Sequence, residues 1–274
     1  MENIKVDVII PAYHPGKEFS ALIDRLVKQT IPVHRIIVMN TEKAFWNPEL
    51  ENRYSLLEVH HLKKQEFDHG KTRAIAAELS DAEVMVFMTQ DAMPSDQKLL
   101  EKLVKALMQN TDIGAAYARQ LPNAECSFVE RYTRSFNYPD QSVVKTKKDL
   151  PVYGIKTFFC SNVCAAYKKD IYQKMGGFIR KAIFNEDMIY AGRLIQEGYG
   201  IAYVADAKVI HSHNYSCMQQ FHRNFDLGVS QAEHPEIFEG IPSEGDKTGK
   251  KDNHLSCEKG KNLADPWSYP AVRL

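Results

Sequence analysis

Three short clusters in this chain carry side chains whose types and spacing suit chemistry rather than packing. Asn185-Glu186-Asp187-Met188 opens an amphipathic run, and His211-Ser212-His213 follows it after a glycine turn and two short β-like segments. A carboxylate at a helix start can take a proton from an attacking hydroxyl, and imidazoles at a strand end can converge on the same pocket. Thr89-Gln90-Asp91 also stands where a strand ends. A hard oxygen from Asp91 suits a divalent cation, Mg2+ or Mn2+, leaving other coordination positions for diphosphate oxygens and water.

Each cluster also has an ordinary structural role. Asp91 precedes Ala92-Met93-Pro94 and can simply shape a turn ahead of Ser95. Glu186 and Asp187 in a first helical turn meet the macrodipole favourably, for less than about 1 kcal/mol when exposed. Periodicity alone does not separate these two carboxylates. His211 and His213, two apart on a predicted strand, share a face while Ser212 points away. His69-Gly70-Lys71-Thr72-Arg73 opens a helix and offers backbone N–H groups and a guanidinium to an anion, or is a solvated first turn.

The elements that must position these clusters alternate between strand and helix. Val6 to Ile10 is a short apolar strand ending at Pro11, and Phe19 to Lys28 follows with helical spacing. Arg35 to Met39, Leu56 to His60 and the fully apolar Val84 to Met88 read as further strands, with Gly70 to Leu79 a helix among them. The first half is therefore a mostly parallel α/β sheet with right-handed crossovers. Ser95 is placed to cap a helix over Asp96 to Gln109, and Ile113 to Ala118 resumes the sheet. Beyond it the periodicity weakens, and Asn137-Tyr138-Pro139-Asp140 reads as a loop suited to acceptor recognition. Helices over Lys169 to Met175 and Asp187 to Gln196, strands near Ile201 to Val204 and Lys208 to His211, and a helix over Met218 to Leu227 complete the order.

In such a sheet, ligands bind at the carboxyl ends of the strands. Pro11-Ala12-Tyr13, Met39-Asn40-Thr41 and Thr89-Gln90-Asp91 all fall at such ends, and three of them facing one crevice suit a nucleotide.

Composition narrows the partners. Lys plus Arg equals Asp plus Glu at 35 each, so no global field draws the chain to nucleic acid or an anionic membrane. The N-terminus lacks a signal-peptide pattern and no apolar run approaches the roughly 18 residues of a membrane span, which predicts a cytoplasmic protein. The five cysteines form no CxxC pair, so neither a disulfide framework nor a zinc site is expected, and Cys160 and Cys164 read as buried thiols. Ser243 to Asn262 is rich in Lys, Gly, Asp and Glu with almost no apolar residue. This composition predicts one domain over 1–240 and a polar, disordered tail over 241–274.

The motifs, taken together, resemble the family 2 glycosyltransferases of the GT-A fold, and within them the bacterial rhamnosyltransferase branch. Val8-Ile9-Ile10-Pro11-Ala12-Tyr13 is similar to that family's opening strand, and Phe67-Asp68-His69-Gly70-Lys71-Thr72-Arg73 resembles the branch's FNHGGTR segment. Phe87-Met88-Thr89-Gln90-Asp91-Ala92 looks like its version of the DXD region. Arg119-Gln120-Leu121-Pro122, Phe136-Asn137-Tyr138-Pro139, Ser161-Asn162-Val163-Cys164-Ala165-Ala166-Tyr167, Gly176-Gly177-Phe178 and His211-Ser212-His213-Asn214-Tyr215-Ser216 also match. The resemblance runs from about Val6 to Gly240.

Carried over residue by residue, it implies that Asp91 is the last acidic position of DXD and binds the metal. Asp187 becomes the base of the ED motif, beside Glu186, and His211 a further metal ligand. Pro11, Tyr13, Asn40, Thr41, His69, Gly70, Arg73, Thr89 and Gln90 would line the nucleotide-sugar site. Asn40 and Thr41 stand where many relatives have acidic residues that read the nucleobase, and Thr89 replaces the first aspartate of DXD. The implied reaction moves L-rhamnose from dTDP-L-rhamnose to a hydroxyl of a saccharide or lipid-linked saccharide acceptor with inversion, at the inner face of the plasma membrane when contact is peripheral. A sugar nucleotidyltransferase would need a glycine-rich phosphate loop after the first strand, and Pro11-Ala12-Tyr13-His14-Pro15-Gly16 holds one glycine and two prolines. A non-catalytic saccharide-binding protein would have no use for Asp91, Glu186, Asp187 and His211 together.

Overall fold

A computed structural model describes residues 4–182 and 184–242. The stretch expected to be a disordered tail lies outside the described residues, apart from its first two positions. Nine strands, β1 (Val6–Tyr13), β2 (Arg35–Thr41), β3 (Leu57–Leu62), β4 (Val84–Met88), β5 (Met93–Pro94), β6 (Ile113–Leu121), β7 (Val143–Lys145), β8 (Cys164–Lys168) and β9 (Gly200–Ile210), form one sheet. Its order is β3-β2-β1-β4-β8-β6-β9-β5, with β7 added onto β9. The helices are α1 (Lys17–Leu26), α2 (Glu49–Arg53), α3 (His69–Leu79), α4 (Leu99–Met108), α5 (Phe128–Asn137), α6 (Leu150–Tyr153), α7 (Lys169–Lys174), α8 (Glu186–Gln196), α9 (Cys217–Ala232) and α10 (Pro235–Phe238).

Successive residues of β1 divide the core. Val8 and Ile10 join α1 and α4 on one face, where Phe19, Leu22, Leu26, Leu100 and Leu103 pack. Ile9 joins the opposite layer, with Ala76 and Ala77 of α3, Leu194 of α8 and a group of aromatic rings including Phe87, Tyr167, Tyr172 and Phe178. A strand buried on both faces is nearly all apolar, which is why β4 reads as continuous rather than alternating, and β1 departs from that at Asp7, which is buried against Arg35 and Ser80. At Gly177, φ is +65° and an added Cβ would lie 2.8 Å from the Tyr172 ring, so both conformation and space require glycine.

The expected parallel half is present: β1 pairs in parallel with β2 and β4, and β2 with β3. Beyond it the sheet is mixed, because β8 runs antiparallel to both β4 and β6, and β9 antiparallel to β5 and β7, with only β6 and β9 parallel. The two strands expected over 201–204 and 208–211 are a single one, β9. Its pairing with β6 jumps from Ala118 opposite Val204 to Arg119 opposite Lys208, so Ala205-Asp206-Ala207 bulge out of the ladder. Ser95 is not a helix cap. Its N–H goes to the Lys208 carbonyl (3.0 Å), which extends the pairing of β5 with β9, and α4 starts only at Leu99.

Two elements near the site have no counterpart in the periodicity. β8, inserted between β4 and β6, is short and fully buried. The helix α5 buries only Glu130 and turns Phe128, Val129, Tyr132 and Phe136 outward. That inverts the usual rule for an amphipathic helix, so its apolar stripe does not mark a core-facing side.

Candidate active site

The sheet brings the sequence-distant clusters to one end. β4 runs out at Met88, and the turn Thr89-Gln90-Asp91 leads into the two residues of β5, with Met93 opposite Ile210 of β9. This short stitch carries Asp91 to the residues that follow β9. His211 is fixed from the other side, since its N–H donates to the Leu121 carbonyl at the end of β6 (2.9 Å). β9 ends at Ile210, so His211 and His213 are not strand residues as the spacing suggested, yet their rings converge.

The Nε2 atom of His211 lies 3.5 Å from Asp91 Oδ1, and that of His213 lies 3.3 Å from Asp91 Oδ2. The two Nε2 atoms are 3.0 Å apart. His211 is buried, whereas His213 and Asp91 are 35% and 44% exposed, so the cluster opens to solvent on one side. Burial would raise the Asp91 carboxyl, but the neighbouring His211 and His213 outweigh it and hold the group below the usual carboxylate range. Burial lowers the His213 imidazole, and His211 lowers it further. Two imidazoles and a carboxylate, with one ligand atom each inside a 4.8 Å span, are a donor set that fits a divalent cation. The spacing of His213 to His211 is its signal in the sequence, while the family resemblance names His211 alone as the further ligand.

A second cluster forms at the start of α8. Glu186 is buried, with Oε1 at 2.9 Å from Arg73 Nη1 and 3.0 Å from the donating Asn162 side-chain amide. Burial would raise its carboxyl, but Arg73 and His69 prevail and lower it. Asp187 differs. Its carboxylate accepts only backbone N–H groups, from Asn162 (2.9 Å) and Met188 (2.8 Å), and it keeps some exposure. Burial and the adjacent Glu186 charge push its carboxyl up to about 7. The two clusters are joined through Gln120, which bonds His211 and donates to Ser161 Oγ (3.1 Å), the neighbour of Asn162. Asn162, Gln120 and Tyr138 were present in the matched motifs but not named as site residues.

The start of α3, where His69, Gly70 and Arg73 stand, is engaged inside the protein. The Lys71 N–H at the start of α3 is taken by its own cap, Asp68 (2.9 Å), which also accepts from Ala182 N–H. Gly70 is there because an added Cβ would stand 2.1 Å from the Ile179 carbonyl oxygen. Arg73 is neutralised inside the protein by Glu186, and His69 sits against Arg73 (3.3 Å). Gln90 likewise spends its amide on reciprocal bonds with the Tyr13 backbone, both 2.9 Å, tying the ends of β1 and β4 together.

The remaining strand ends keep polar capacity in reserve. Asn40 and Thr41, opposite Ala12 and Tyr13, are buried, and Asn40 Oδ1 and Thr41 Oγ1 have no hydrogen-bond partner. Buried polar atoms are normally satisfied, so orphans at a sheet's carboxyl end suit a polar ligand. Beside them the Tyr13 ring, 44% exposed, meets His14 and Phe45 edge-on, and His14 stacks on Phe45. Pro11 lies within β1 one step before this mouth.

Comparison with known proteins settles the family. Residues 7–176 match glycosyl transferase family 2. The chain belongs to this family. It is 37% identical over 246 residues to the O-antigen chain rhamnosyltransferase RfbN of Salmonella typhimurium (strain LT2), covering 88% of this chain and 78% of that protein. To the O-antigen chain rhamnosyltransferase WbaN of Salmonella anatum it is 35% identical over 243 residues, covering 87% and 76%. The fold of this family 2 glycosyltransferase is similar to that of the mannosyltransferase PcManGT from Pyrobaculum calidifontis, solved with GDP-Man and Mn2+. The TM-score is 0.64 at 16% identity, over 92% of this chain and 70% of that one. The expected GT-A α/β architecture and glycosyltransferase activity therefore stand.

Proposed function

We propose that this glycosyltransferase moves L-rhamnose from dTDP-L-rhamnose to a hydroxyl of a saccharide or lipid-linked saccharide in O-antigen-type polysaccharide synthesis, inverting the anomeric configuration. The observation that carries the reading is Asp187, a carboxylate raised by burial and by Glu186 and joined through Asn162, Ser161 and Gln120 to the Asp91–His211–His213 cluster. A carboxyl near 7 is matched to taking a proton from a sugar hydroxyl at neutral pH. The deprotonated oxygen then attacks the anomeric carbon from the face opposite the leaving diphosphate. The carbon–oxygen bond to the diphosphate breaks as the new glycosidic bond forms, and no covalent enzyme intermediate is needed.

The nucleotide is bound where β1, β2 and β4 end. Asn40 and Thr41 supply unpaired polar atoms there, Thr89 stands beside them, and Tyr13 supplies an exposed ring against which a base can pack. Asp91, His211 and His213 hold Mg2+ or Mn2+, and such an ion neutralises charge on a departing diphosphate. Glu186, Arg73 and Asn162 hold the Asp187 backbone and carboxylate in place.

This reading carries with it a cytoplasmic reaction, with peripheral contact at the inner face of the plasma membrane. Among the described residues no helix is long and apolar enough to cross a membrane. Contact from one side is supported by the outward Phe128 and Phe136 of α5 and Phe221 and Phe225 of α9, side chains of the kind interfacial helices present to lipid.

A donor screen with mass-spectrometric detection of nucleotide release tests the assignment. Turnover of dTDP-L-rhamnose in preference to UDP- and GDP-sugars is expected, and exclusive use of another nucleotide sugar would refute the donor.

A further inference from the structure

Gln120, at the end of β6, is 2% exposed and touches four polar groups. Its Oε1 accepts from Arg134 Nη1 of α5 and lies 3.0 Å from His211 Nδ1. On the other side Nε2 donates to the Tyr138 hydroxyl (2.5 Å) and to Ser161 Oγ (3.1 Å). A guanidinium has donors only, so the Gln120 atom facing Arg134 must be the oxygen. That removes the amide-flip ambiguity. The same oxygen faces His211 Nδ1, which must then carry the proton, and a neutral ring protonated at Nδ1 has a bare lone pair at Nε2.

We propose that Gln120 is a positioning residue for the cation site: with its amide locked by Arg134, it holds His211 in the Nδ1–H form and aims the Nε2 lone pair at the point shared with Asp91 and His213. The proposal rests on the metal reading above. Second partners of metal-bound histidines do this work in general, fixing both tautomer and ring orientation. Here the partner is itself held from α5. Glu130 accepts from Arg134 Nε (2.6 Å) and from the His213 backbone N–H (3.2 Å), so one buried ion pair steadies both imidazoles. α5 thereby faces the cation site with Glu130 and Arg134 while its aromatic residues face outward.

Two measurements on the full chain test this. In the metal-free protein labelled with 15N-histidine, long-range 1H–15N NMR, assigned with His211→Gln, should show a proton on His211 Nδ1. A bare Nδ1, with the proton on Nε2 alone, would overturn the lock, whatever the protein's affinity for metal. Mn2+ titration followed by electron paramagnetic resonance should show Gln120→Leu weakened about 10- to 100-fold, the usual loss for an outer-sphere partner. Gln120→Glu keeps an acceptor for both Arg134 and His211 and should retain most of the affinity. Leu and wild type binding Mn2+ equally, with thermal melts confirming that both are folded, would reject the proposal. Should Gln120→Leu fail to fold, the tautomer measurement on the unmutated protein decides alone. Failure of the unmutated protein to bind Mn2+ would instead remove the metal reading, a result distinct from the wrong tautomer.

Discussion

Arg73 and Glu186 form a 2.9 Å ion pair with side chains only 7% and 5% exposed. This pair assigns different work to two carboxylates adjacent in sequence. Glu186 is the buried partner of a cation. Asp187, the next residue, has backbone N–H partners alone and feels the Glu186 charge as repulsion.

Asp187→Asn removes the proposed base while leaving the strand ends that hold the donor. The expected result is a loss of about 10²- to 10⁴-fold in kcat, the typical share of general base catalysis, with dTDP affinity unchanged by calorimetry. Wild-type turnover in this variant would remove Asp187 from the mechanism.

The raised carboxyl also fixes the sign of a pH effect. A base acts as the carboxylate, so kcat/KM for the free enzyme should rise as pH increases through about 7 and fall below it. A flat profile between pH 6 and 8 would contradict the shift.

Breaking the buried pair should destabilise the fold strongly. Arg73→Met strands the Glu186 charge and should cost about 3–5 kcal/mol in urea unfolding, with Arg73→Met combined with Glu186→Gln recovering a large part. A double-variant loss equal to the sum of the losses in Arg73→Met and Glu186→Gln alone would mean the two residues act independently.

Lys145 is buried on β7, its ammonium facing the Lys156 carbonyl (3.0 Å), the Phe159 carbonyl and the Tyr117 ring. Burial, aided by the charge of Lys156, lowers it to about 7. An unfolded lysine titrates near about 10.4, so between these values the unfolded chain binds more protons and this residue's contribution to stability rises with pH. The burial penalty is fully present below about pH 7 and fades toward pH 10. The stability difference between wild type and Lys145→Met, measured by denaturant unfolding, should therefore move in favour of wild type across that window. A constant difference would show that the amine stays protonated in the fold.

Gly70→Ala tests whether α3 begins with a packing constraint. Its Cβ would meet the Ile179 carbonyl oxygen at 2.1 Å, a backbone atom that cannot rotate away. A loss of about 1–3 kcal/mol is expected from such overpacking, and unchanged stability would show that the segment around Ile179 yields freely.

The elements legible in the sequence are those with an apolar run or an apolar period of their own. β1, β2, β4, α1, α3 and α8 all lie within a few residues of where their apolar spacing puts them. α5 was not legible, because it buries a charged pair and exposes its aromatics. β8 was not either, being a five-residue apolar run with no turn signal of its own. The bulge over 205–207 was hidden for another reason: a register shift is a property of two strands, and nothing in β9 alone records its offset from β6.

For the site, the sequence by itself determined the residue types. Asp91, Asp187 and His211 were visible as chemistry at element ends, and the ordered motifs around them fixed the family. Only the tertiary structure decided what each side chain does, because a partner's identity depends on which strands are neighbours. The insertion of β8 and the stitch of β5 onto β9 bring Asn162 to Asp187 and Asp91 to His211. The same packing sets Arg73 against Glu186 and brings His213 and Gln120 against His211. Charge, burial and a proton's position are set by neighbours in space, and those neighbours are tens of residues apart along the chain.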